Sequence, residues 1–137
     1  MSTRLVVPVH DVPAHPTAVS RPFWEACARG ELAFQRCGEC SAIAFPPAQT
    51  CRSCLSPALS WQRSGGLGRL YSWTVVWRPV TPAFTAPYAP AIVDVAEGYQ
   101  ILSNVINTAV EDLAAGLPLA VTFRRVGDLC LPYFEPA

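Results

Sequence analysis

The sequence predicts a mainly β chain with a short N-terminal helix, then a four-cysteine metal ribbon, then a small five-stranded barrel. Three observations carry this prediction. Two Cys-x-x-Cys pairs lie within 36–54 of a chain of 137 residues. Short runs of alternating apolar residues, separated by glycine turns, fill the chain from Leu67 to the end. One stretch ahead of the cysteines, "SRPFWEACARG", has apolar residues at helical spacing.

Residues 1–16 hold three prolines and little periodicity, so they read as an extended arm. The helical segment follows at 17–31, with Ser20 as N-cap, Pro22 in the first turn and Gly30 as the stop. Phe23, Trp24 and Cys27 share one side, which calls for a buried face. Residues 32–64 form the cysteine segment, too short to bury a core of its own.

From 65 to 137 the chain reads as β. "LYSWTVVW" puts Tyr71, Trp73, Val75 and Trp77 on one face of a first strand. "AIVDVA" and "YQILSNVI", joined at Glu97-Gly98, give the second and third. "AVEDLAAG" is a helical or turn connection, "LPLAVTFRRV" a fourth strand, and "LCLPYF" a fifth beyond Gly127-Asp128. Five strands with a helical insert before the fourth suit an OB-type barrel; a meander or an SH3-like barrel stays open. "SGGLGRL" precedes a strand rather than a helix, so it reads as a hinge from ribbon to barrel and not as a phosphate loop.

Composition narrows the function. Formal net charge is zero, and all ten basic residues are Arg, spread along the chain. A nucleic-acid binder normally shows a basic stripe, so the alternative of a single-stranded nucleic-acid module is disfavoured, although Trp73 and Trp77 have the chemistry to stack on bases. No apolar run is long enough to span a bilayer, and the N-terminus has no signal-peptide core. A cytoplasmic location is expected, where six cysteines point to metal or buried thiols rather than disulfides.

Cys37, Cys40, Cys51 and Cys54 have the spacing of two facing knuckles around a tetrahedral ion. Tetrahedral sulfur accepts zinc or iron, and zinc is preferred because nothing else here points to electron transfer. Four thiolates leave no open position, so the ion is expected to be structural and not catalytic. Cys27 and Cys130 lie among apolar residues and read as buried thiols. His10 and His15, the two histidines, both fall in the arm, so a histidine-based triad on the body would need the arm to fold back. No catalytic set stands out. The loop "PVTPAFTAPYAP" is stiffened by proline and carries Phe84 and Tyr88; it either meets a partner or greasy ligand, or caps the barrel's own core.

Taken together, "FWEACARGEL", "FQRCGEC", "FPPAQTCRSC", "WQRSGGLGRLYSWTVV", "APAIVDVAEG", "AAGLPLAVTF" and "LPYFEP" resemble the zinc-ribbon plus OB-fold family filed as domain of unknown function thirty-five. Ser41 stands where that family usually has glycine. The resemblance implies a rubredoxin-like zinc ribbon, an OB fold, and an accessory subunit without catalysis of its own. Such a subunit docks on a thiolase-like enzyme and helps form its channel for acyl-CoA or another thioester. The partner's chemistry would be acyl transfer, condensation or retro-aldol cleavage in lipid, steroid or polyketide metabolism. On that reading Phe23, Trp24, Phe45, Phe84 and Tyr88 are candidates for partner or acyl contact. Arg69, Arg78, Arg124 and Arg125 are candidates for the CoA phosphates, which guanidinium matches bidentately.

Overall fold

A computed structural model describes residues 3–10 and 16–137. The expectation for His15 lies outside the described residues. One short helix, α1 (Arg21–Ala28), leads into β1 (Ala33–Cys37), β2 (Ile43–Ala44) and β3 (Leu59–Arg63). These strands form an antiparallel ribbon in the order β2-β1-β3. Five further strands follow: β4 (Leu67–Trp73), β5 (Ala89–Val95), β6 (Tyr99–Val105), β7 (Pro118–Val126) and β8 (Leu129–Pro136). They close a barrel in the order β4-β5-β6-β8-β7, with a 3-10 turn at Val110–Asp112 ahead of β7. The OB-type reading is the one observed.

The helix forms as its signals require, with one difference. Ser20 holds the N-cap position, but its hydroxyl receives the Thr17 N–H at 3.0 Å instead of capping the helix. Gly30 ends the element at φ +76, where a side chain is disfavoured. Phe23, Ala26 and Cys27 are buried, and Trp24 is half-buried.

Alternation is clean in β5 and β6, where Ala91, Val93 and Val95 face inward opposite Ser103, Ile101 and Tyr99. It fails in β4. The pairing with β5 slips between Leu70 and Ser72, which marks a bulge at Tyr71 and breaks the side-to-side pattern. The strand then stops at Trp73. The predicted face of Tyr71, Trp73, Val75 and Trp77 is therefore not one buried stripe; Tyr71 and Trp77 are more than half exposed, and Leu70 supplies the core contact. Strand pairing between β6 and β8 is confined to Val105 opposite Phe134, the one parallel contact in the barrel.

One core runs through all parts. Phe23 and Cys27 of α1, Leu32 and Phe34 of the ribbon, and Leu70, Val93, Val105, Leu119 and Phe134 of the barrel belong to a single buried cluster. Residues 3–10 are not a free arm, and the expectation for 11–15 lies outside the described residues. Leu5 is 2% exposed, its N–H bonds to the Thr108 carbonyl at 2.9 Å, and Arg4 pairs with Ala109. Val9 pairs with Phe84 and joins a second cluster with Ile106, Val126 and Tyr133. His10 remains exposed, within 3.3 Å of the Thr85 hydroxyl. No described helix is long and apolar enough to cross a membrane.

Candidate functional site

The four ribbon cysteines converge. Their Sγ atoms all lie within 4.8 Å of one another, with Cys37 and Cys51 buried and Cys40 and Cys54 exposed. Each knuckle aims backbone donors at its first sulfur: Glu39 N–H at Cys37 and Ser53 N–H at Cys51, both at 3.4 Å. The N–H groups of Cys40 and Glu39 pull the Cys37 thiol below its ordinary value. Those of Cys54 and Ser53 bring Cys51 down to about 6. Against the lowering N–H of Ser56, the neighbouring Cys37 sulfur pushes Cys54 up to about 12. Four sulfurs this close cannot all be anionic without a cation among them. The donor set therefore fits a tetrahedral ion and leaves that ion no open position.

Both knuckles turn through a left-handed residue, Ser41 at φ 65 and Leu55 at φ 66. Glycine is the usual choice for that conformation, and neither position has one.

A groove of about 1030 Å³ lies between the helix and ribbon on one side and the barrel on the other. Phe23, Trp24, Phe45 and Pro46 form one wall; Gln100 to Asn104 and Leu131 to Tyr133 form the other. An aromatic chain builds the first wall. Phe23 meets Trp24 edge-on at 5.0 Å and Phe45 at 5.9 Å, and Phe45 continues to Tyr99 at 4.8 Å. Gln35, buried on β1, holds the Phe45 loop in place. Its amide accepts from Ala48 N–H at 2.8 Å and donates to Ala48 O at 3.1 Å.

On the barrel wall, β6 and β8 part ahead of their single rung. Pro132 has no N–H to offer a neighbour, and the Ser103 hydroxyl spans the gap by donating to Pro132 O at 2.8 Å. Asn104 Oδ1 is buried in this wall and has no hydrogen-bond partner among the described residues. The Tyr99 hydroxyl is likewise buried and unpartnered, and burial pushes it up to about 12.

The sequence-predicted contact residues divide. Phe23, Trp24, Phe45, Phe84 and Tyr88 all line this one groove. Phe84 and Tyr88 also stack on each other at 5.6 Å, and Phe84 packs on the cluster of Val9 and Tyr133, so the loop both caps the barrel and borders the groove. Arg69 does not converge with Arg124 and Arg125, and Arg78 is exposed in the segment that follows β4. Arg69 sits opposite Pro118 at one end of β7, while Arg125 lies seven residues along that strand, roughly 23 Å away. Arg69 donates to Gly116 O and Arg124 to Thr122 Oγ1 and Phe123 O, and neither points to a shared anion. Cys27 is fully buried, and desolvation, with Cys130 adding to it, pushes its thiol up to about 12. That is the opposite of an activated nucleophile. Gln35, Ser103 and Asn104 carry no motif and were not singled out by sequence; only the fold brings them to the groove.

A four-thiolate ribbon joined to an OB barrel across an aromatic groove defines a class of two-part, metal-braced β proteins. Within it, family models match the ChsH2 rubredoxin-like zinc ribbon over 24–60 and the ChsH2 C-terminal OB-fold domain over 61–124. A DUF35 domain-containing scaffold protein of Methanothermobacter thermautotrophicus is 30% identical, over 73% of this chain and 77% of its own length. The chain belongs to this DUF35 family. A chain of the Ltp2-ChsH2(DUF35) aldolase superposes with a TM-score of 0.83 at 30% identity, covering 91% of this chain and 98% of that one. The "Probable enoyl-CoA hydratase alpha subunit" of Thermomonospora curvata is 33% identical over 84% of this chain. The chain spans about two-fifths of the length of the hydratase subunits it matches.

Proposed function

We propose that this protein is an accessory subunit that docks on a thiolase-like enzyme and contributes the aromatic groove to that enzyme's acyl-thioester channel. The single observation that carries the reading is the groove itself. It is large and walled by Phe23, Trp24 and Phe45. An apolar wall suits an acyl chain. Relatives named as a scaffold, as the alpha subunit of a hydratase and as part of an aldolase support a role beside an acyl-CoA enzyme. The ion is zinc, held by Cys37, Cys40, Cys51 and Cys54, and its contribution is to fold the ribbon that carries Phe45. The nucleophile and the base belong to the partner.

Co-expression with a thiolase-like protein tests this. The expected result is a complex that co-elutes and turns over a thioester neither protein turns over alone. Separate elution with no gain in turnover across a panel of acyl-CoA esters overturns the reading. Elemental analysis showing one zinc per chain checks the ion, and iron in its place corrects that part alone.

A further inference from the structure

Ser64, Gly65 and Gly66 join ribbon to barrel, and by composition this link should swivel. Gly66 takes φ +74, and two successive glycines impose little preference of their own. The structure instead holds the link fast. The Glu97 carboxylate, in the turn between β5 and β6, accepts from the Ser64 hydroxyl through one oxygen. Its other oxygen accepts from Gly65 N–H at 2.9 Å. Ser64 Oγ in turn accepts from Gly66 N–H at 3.0 Å. Ser64 is buried, and its own N–H donates to Leu32 O at 2.7 Å. The cluster thus ties the root of the ribbon, the link and the barrel turn together.

Val121 N–H on β7 also donates to Gly66 O at 2.7 Å and holds the barrel end of the link, while the ties of the ribbon proper to the barrel are of a different kind. Phe34 and Phe45 lie on Tyr99 at 5.2 and 4.8 Å. Apolar attraction is non-directional, so it constrains the angle between two surfaces less tightly than directed hydrogen bonds do. A carboxylate receiving two donors is directional, and a charged acceptor makes a bond roughly twice as strong as a neutral one. The angle matters because the groove has one wall on each part. We infer that Glu97 is a positioning residue whose carboxylate latches the ribbon link and so sets the width of the groove. The inference stands on this geometry and does not depend on what occupies the groove.

The metal-loaded, full-length chain is the material for the test. Glu97→Ala removes both acceptors. Amide exchange at Gly65 and Gly66 should then quicken by about tenfold or more. Residual dipolar couplings of ribbon and barrel should stop fitting one alignment tensor while each part still fits its own. Glu97→Gln keeps one oxygen for Gly65 and an amide that can donate to Ser64 Oγ, so it should fall between parent and alanine. Ser64→Ala cuts the latch from the other side and should reproduce the loosening. A single shared tensor, with exchange within about twofold of the parent, overturns the inference. The same loosening in Asp128→Ala, a turn carboxylate elsewhere on the barrel, overturns it as well. If Glu97→Ala does not fold, Glu97→Gln and Ser64→Ala decide the matter by the same two readouts.

Discussion

The ribbon and the barrel differ in what holds them. The barrel has strands seven to nine residues long and an interior of Leu70, Val93, Val105, Leu119 and Phe134, all essentially without solvent exposure. The ribbon has strands of two to five residues, and two of its most buried side chains, Cys37 and Cys51, are metal ligands. One part is stabilised by area removed from water; the other needs an ion to replace the core it lacks. The lesson is that the two should fail under different insults even though Phe34 and Tyr99 join them in one cluster.

Removing the ion should separate them most sharply. Chelation, or Cys51→Ser, forfeits a contribution on the order of 10 kcal/mol. Ribbon amides should lose protection from exchange while β5 to β7 keep theirs. Loss of both together breaks the distinction. Next in size, Phe134→Ala opens a void at a position with no solvent exposure and should cost about 3–5 kcal/mol. Denaturant unfolding should show that loss in the barrel transition, with the metal retained until the barrel melts.

Gln35→Ala sharpens the comparison within the ribbon. It strips two hydrogen bonds from Ala48 and leaves both backbone groups unpaired, a cost of about 1–3 kcal/mol. It should also free the Phe45 loop, read as lower protection of Ala48 N–H. Alkali acts on the shared core. Cys27 is held neutral, from an ordinary value of 9.0 up to about 12. Its contribution is therefore complete below pH 9 and falls away as pH rises toward 12. In the native protein at pH 8, Cys27 should resist alkylation and react only after unfolding. The smallest effect belongs to the knuckles. Ser41→Gly relieves a left-handed turn and should shift stability or metal affinity by less than about 1 kcal/mol, in the favourable direction.

How legible these features were in the sequence follows from their range. The metal site was readable because its four ligands come in two local pairs and only one long-range fact, that the pairs face each other, had to be supplied. β5 and β6 were readable because inward and outward residues alternate without interruption. Tyr71 was misread because a bulge inserts a residue that alternation cannot register. Leu5 and Val9 were missed because prolines break up the pattern around them, and their burial depends on partners such as Thr108 and Phe84 far along the chain. The Ser64–Glu97 contact crosses 33 positions with no motif at either end. The arginines looked alike in sequence, and only strand register sets Arg69 apart from Arg124 and Arg125.

The one rung between Val105 and Phe134, with the Ser103 tether beside it, gives the barrel an aperture on its groove side. The other four seams are multi-rung ladders, where spreading neighbouring strands would break several backbone bonds at once. Opening this seam would break few bonds: the Ser103 hydroxyl on Pro132 O, Ile106 N–H on Phe134 O and the Asn107 amide on Glu135. The barrel's least-bonded seam thus lies on the wall that borders the groove.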